Sequence, residues 1–165
     1  MLYRVKQFFK SFNAKVSEKE INWIRNNLTA SEQKIFFKLP TYEQRHSIDV
    51  ALTVKERTGQ LDERQAKLLI RAALLHDVGK INTGLNPITK SISVIFDIFN
   101  KQKKVPKKPR FLQGYYLHPY FSVEILKNEG IQDEELLYLI GNHHNNTEIE
   151  KNYLLKVLMD SDGEN

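Results

Sequence analysis

Residues 71–80 read RAALLHDVGK, and the reading of this stretch decides the fold. Upstream of it, Leu68, Leu69, Ala72, Ala73 and Leu75 recur at spacings of three and four, which is the core face of a helix. The apolar run ends on an adjacent His76 and Asp77, then leaves the helix through Gly79. An imidazole and a carboxylate at a helix end can splay toward one point, because the chain turns away there. The carboxylate can also bridge two cations, which makes the pair a workable site for a hard-to-borderline metal.

The same periodicity runs outward in both directions, and strand-type alternation is scarce. We expect helices over about 2–13, 18–28, 30–38, 42–58, 62–76, 87–102, 118–129, 132–144 and 148–161. Capping-box spacings mark several starts: Ser17 with Glu20, Thr29 with Glu32, and Thr147 with Glu150. Pro87 and Pro119 suit first-turn positions, and Gly59 and Gly130 suit helix ends. The expected fold is all-α. A helical extension over 1–40 precedes a main domain over 41–165. The start of that extension, residues 1–16, is basic, with Leu2, Val5, Phe8, Phe9 and Phe12 at helical spacing. We expect these apolar residues to pack against the domain.

Composition narrows the chemistry. The 165 residues include no cysteine, so disulfides and thiolate ligands are excluded and any metal must sit on nitrogen and oxygen. No apolar run approaches the roughly 20 residues a spanning helix needs, and no secretory leader is evident. A cytoplasmic location is expected. The net charge of +5 favours anionic partners.

The chain has five histidines, and all fall at helix ends or on apolar helix faces. His46 shares a face with Val50 and Thr53. His118 precedes PYFSVEIL, His143 and His144 close DEELLYLIGNHH, and Asp160 follows the run LLKVLM. A single inward histidine is usually a satisfied core residue. Five so placed, together with Asp77, point to a shared metal site. Asp162 competes with Asp160 for the last place, and Asp160 is preferred because it directly follows the apolar run.

From about residue 42 to 160, the order His, His-Asp, His, His-His, Asp resembles the HD superfamily. It looks closest to the branch with an HDIG-like motif, which includes the HD-GYP phosphodiesterases, the cyclic-di-AMP phosphodiesterases and the catalytic domain of RNase Y. The resemblance implies an HD-domain helical bundle and two divalent metal ions, drawn from Fe, Mn, Ni, Zn or Mg. It implies His46, His76, Asp77 and Asp160 as ligands of the first, His118, His143 and His144 as ligands of the second, and Asp77 as the bridge. Lys80 then faces the substrate phosphate, and Asp77 and Lys80 are the catalytic candidates.

Two departures narrow the expectation. HHNNTEIE stands where the GYP element would follow, which argues against cyclic-di-GMP as substrate. Position 42 is Tyr rather than the Glu of trinuclear members.

The activity implied is hydrolysis of a phosphate ester, in a nucleotide or related small phosphorylated metabolite, by metal-activated water. Alternatives are a di-iron oxygenase of the same superfamily or a non-catalytic nucleotide sensor. The run KQKKVPKKPR at 101–110 carries six bases and two prolines and reads as an exposed loop flanking the pocket. Lys104, Lys107 and Lys108 are its candidate phosphate contacts, and nucleic acid is a further candidate partner for this loop.

Overall fold

The computed structural model describes residues 15–100, 104–107 and 109–165. The expected helix over 2–13, the packing of its phenylalanines, and Lys108 lie outside the described residues. Eight α-helices follow one another, and no strand occurs among the described residues. They are α1 Glu18–Asn27, α2 Ala30–Phe36, α3 Thr41–Arg57, α4 Glu63–Leu75, α5 Pro87–Phe99, α6 Arg110–Asn128, α7 Glu134–Asn142 and α8 Tyr153–Glu164. Single 3-10 turns occupy Thr58–Gln60, Val78–Lys80 and Ile149–Lys151.

Local chemistry explains most starts. Ser17/Glu20 and Thr29/Glu32 form the two expected capping boxes, and Asp62/Gln65 forms a third at the head of α4. Asn86 caps α5, with Pro87 in its first turn. Helix α4 is buried nearly all round, through Leu68, Leu69, Ile70, Ala72, Ala73, Leu74 and Leu75, which makes it the central element. It packs against α1, α2, α3, α7 and α8. Ile24 of α1 and Ile35 and Phe36 of α2 are wholly buried in the same cluster as Leu69, Ile140 and Leu158. Residues 17–39 therefore share the core of the bundle. An ion pair reinforces this: Glu32, fully buried, accepts from Arg71 at 2.6 Å and from the Thr29 amide at 2.8 Å.

Two expected starts are corrected. Helix α6 begins at Arg110, capped at Pro109, so His118 and Pro119 lie in its middle rather than at its first turn. An internal proline removes one backbone donor and leaves the carbonyl four residues back without its helical partner. Here that carbonyl is Tyr115's, and the His118 ring takes it up, Nδ1 to O at 3.0 Å. The helix survives its proline because a side chain replaces the missing bond.

Thr147 does not start α8 either. Its amide and hydroxyl bind Asn145 Oδ1, at 3.2 and 2.7 Å, in a turn. The cap of α8 is Asn152, accepting from the Leu155 amide at 3.0 Å.

Candidate metal centre

His76 closes α4, and the turn Val78–Lys80 nests against α6. Ser122 of α6 ties the two together. Its hydroxyl donates to the His76 carbonyl at 2.7 Å and accepts from the Gly79 amide at 2.8 Å. Asn82 and Gly84, at φ 59 and 76, then turn the chain toward α5. Asp77 is left 1% exposed at the centre of the bundle.

Three histidines are oriented by backbone carbonyls. The Nδ1 atoms of His76, His118 and His143 lie 2.8, 3.0 and 2.6 Å from the carbonyls of Ala73, Tyr115 and Ile140. A carbonyl only accepts, so each Nδ1 carries the proton, and each Nε2 is turned toward Asp77. His76 Nε2 is 3.2 Å from Asp77 Oδ2, and His118 Nε2 is 3.3 Å from Asp77 Oδ1. His118 Nε2 and His143 Nε2 face each other at 3.2 Å. From α3, His46 Nε2 lies 3.0 Å from Asp162 Oδ1 and 3.5 Å from Asp77 Oδ2. His144 stacks beside His118 and His143, with ring centroids 5.0 and 4.2 Å away.

The donors form a His46, His76, Asp162 group and a His118, His143, His144 group, joined by a third of His76, Asp77 and His143. At Asp77, His46 and His76 approach Oδ2, and His118 and His143 approach Oδ1. With metal–ligand bonds of about 2.1 Å, adjacent donors on one ion stand roughly 3 Å apart. The 3.0–3.5 Å separations among His46, His76, Asp77 and Asp162 match that spacing. His76 Nε2 and Asp77 Oδ1 are buried and make no hydrogen bond to the protein. Two neutral imidazoles aiming lone pairs at each other across 3.2 Å are repulsive unless an electrophile lies between them. The residues present therefore fit a divalent metal held on nitrogen and oxygen.

Charge balance leads to the same conclusion. Burial opposes ionisation of Asp77, but His76 and Lys80 beside it hold its pKa well below the usual carboxylate range. Burial would raise Asp162 too, but His46 at 3.0 Å and His76 at 3.5 Å outweigh it and hold the carboxyl well below the usual range. Burial pulls His76 down, yet Asp77 and Asp162 outweigh it and raise the imidazole to about 10. The carboxylates that draw a proton to His76 would draw a metal ion. Burial holds His118 at about 3 against the pull of Asp77, and burial likewise pushes His143 well down. Both stay neutral, as ligands must.

The structure brings His46, His76, Asp77, His118, His143 and His144 together, but not Asp160. Asp160 is exposed and pairs with Lys156 at 2.5 Å, and Asp162 stands in its place. The signal was in the spacing. Leu155, Leu158 and Asp162 lie at i, i+3 and i+7, on one face of α8, whereas Asp160 shares the face of Lys156.

Lys80 is 8% exposed, with its ammonium against Asp77 Oδ2 and 3.3 Å from Glu43 Oε2. Sequence reading had missed Glu43, although it is one turn before His46 and on the buried side of α3. Lys104 and Lys107 are exposed and do not line the cavity above the histidines.

That cavity, about 770 Å³, has His46, Asp77, Lys80, His118, His144 and Asp162 at its floor. Its walls come from Tyr42, Leu85, Val94, Tyr115 and Tyr116, with Lys90 of α5 as a cation that sequence reading had not singled out.

Residues 44–164 match the model of the HD domain family. The chain belongs to the HD domain family, an all-α class made up mostly of metal-dependent phosphohydrolases, and its histidine–aspartate groups could hold a metal ion. Comparison with curated proteins and with solved structures found no match.

Proposed function

We propose that the protein hydrolyses a phosphate ester of a nucleotide or a related small phosphorylated metabolite at a binuclear metal centre. The observation that carries this reading is Asp77: one buried carboxylate presents each of its oxygens to a separate group of histidines. The first ion would be held by His46, His76, Asp77 and Asp162, the second by Asp77, His118, His143 and His144. Bound there, two divalent cations neutralise a phosphate and acidify a water molecule.

The chain's own residues do the rest. Carbonyl-anchored rings keep the ligand nitrogens fixed, so little reorganisation accompanies charge development. Lys80, held by Glu43, keeps a further positive charge beside the position of the phosphoryl group. The walls above offer Tyr42, Tyr115 and Tyr116 as flat apolar surfaces for a base or similar ring.

The test is a screen of phosphate mono- and diesters with metal-loaded protein, using Asp77→Ala as control. Release of phosphate or alcohol by the wild type alone supports the reading. Oxygen uptake on iron loading without ester cleavage would favour an oxygenase, and tight ligand binding without turnover would favour a sensor.

A further inference from the structure

Helix α5 carries its apolar stripe on the wrong side for a core helix. Ile88, Ile92, Ile95 and Phe99, spaced i, i+4, i+7 and i+11, are 58%, 47%, 58% and 78% exposed, and Ile98 beside them is 68% exposed. Ser93 is buried, Lys90, Ser91 and Val94 line the cavity, and Ile95 of the stripe stands at the cavity's edge as well, whereas Ile88, Ile92, Ile98 and Phe99 do not line it. A contiguous outward row of large aliphatic and aromatic residues marks a contact surface.

After Phe99 the chain passes through Asn100 into KQKKVPKKPR, with six bases and no acid. Of these, Lys104, Lys107 and Arg110 are exposed. The start of the run is fastened to the helix end, where the Asn100 side-chain amide donates to the Lys104 carbonyl at 2.8 Å and to the Tyr116 hydroxyl at 3.2 Å.

We propose that this face of α5, with the basic run beside it, docks on an anionic lipid bilayer. An interfacial helix needs an apolar stripe to bury at the acyl boundary and cations at headgroup level. Charge selects this occupant over the others. The basic run complements anionic headgroups, whereas a second copy of this chain carries a net +5 and the segment 1–16 has four bases and no acid, so neither supplies the opposite charge. Ile88, Ile92, Ile98 and Phe99 project from the helix and do not line the cavity, so the face suits a planar surface better than a peptide. Docked this way, α5 sets the cavity beside the lipid surface.

Flotation of the full chain with phosphatidylcholine vesicles, with or without about one-third phosphatidylserine, tests the proposal. Binding is expected only to the anionic vesicles, weakening as salt rises. Ile92→Ser with Phe99→Ser, and separately Lys104→Glu with Lys107→Glu, should each lower partitioning about tenfold or more, with unchanged circular dichroism. Equal binding to neutral vesicles, or no binding to anionic ones, would overturn it. So would full binding by the Ile92/Phe99 variant, or loss of binding only on Phe8→Ser with Phe12→Ser. A vesicle-inert protein that is a dimer in solution, with Phe99→Ser monomeric, would assign the stripe to a second copy instead. Vesicle-inert protein that instead captures an acidic peptide would assign it to a protein partner.

Discussion

Gly79 and His118 are packed so closely that a Cβ on the glycine would lie 2.0 Å from the His118 carbonyl oxygen and 2.5 Å from the Ser122 amide nitrogen. Both obstacles are backbone, so neither can swing aside. The absence of a side chain at position 79 therefore lets the HDVGK turn seat on α6 and sets the distance between Asp77 and His118.

Gly79→Ala should accordingly destabilise the fold by roughly 1–3 kcal/mol or more, as overpacking does, and displace His118. Urea unfolding measures the first effect and bound metal the second. Gly59→Ala is the control, since nothing lies within 4 Å of a Cβ there. An unchanged Gly79→Ala protein would mean that the turn and α6 are not so closely apposed.

Asp162 and Asp160 make a paired test. Asp162→Ala should weaken metal binding by more than the 10–100-fold typical of losing an outer-shell group, while Asp160→Ala, at an exposed position paired with Lys156, should bind as the wild type does. Metal analysis after dialysis reads the difference, and the reverse ranking would refute the assignment of Asp162.

Glu32 joins α2 to the central helix. Replacing it with Ala leaves Arg71, which is 18% exposed, with only Asp133 at 2.9 Å. Breaking a buried pair from one side costs about 3–5 kcal/mol. The lower end is expected because Asp133 remains. A melt showing less than about 1 kcal/mol of loss would place the pair among weak surface contacts.

Acid should loosen α1. Burial alone would raise the pKa of Glu20, but the Ser17 amide and Arg45, at 2.6 Å, outweigh it and lower the group from 4.5 to about 2. A carboxylate depressed on folding stabilises fully above its unfolded pKa, and that contribution fades as pH falls from 4.5 toward 2. Relative to Glu20→Gln, the wild type should lose more stability across that window and keep its advantage above it. Parallel urea midpoints at several pH values would show this; parallel curves would contradict it.

Much of the site was legible because its residue types are costly to bury. Five histidines on apolar faces, an aspartate closing a buried helix and no cysteine imply metal on nitrogen and oxygen, whatever the packing. Helix existence was legible for the same kind of reason, since periodicity and capping are local. Boundaries were less so. Pro119 reads as a first-turn residue until one sees that the His118 ring satisfies the Tyr115 carbonyl.

The sequence by itself determined the all-helical class and the histidines of the centre, because apolar spacing and residue chemistry act within a few turns of chain. The tertiary structure decided which aspartate of α8 turns inward, that Glu43 holds Lys80, and that Gly79 must be bare. Those outcomes depend on helix rotation and on backbone approach between segments tens of residues apart, and no local signal encodes them.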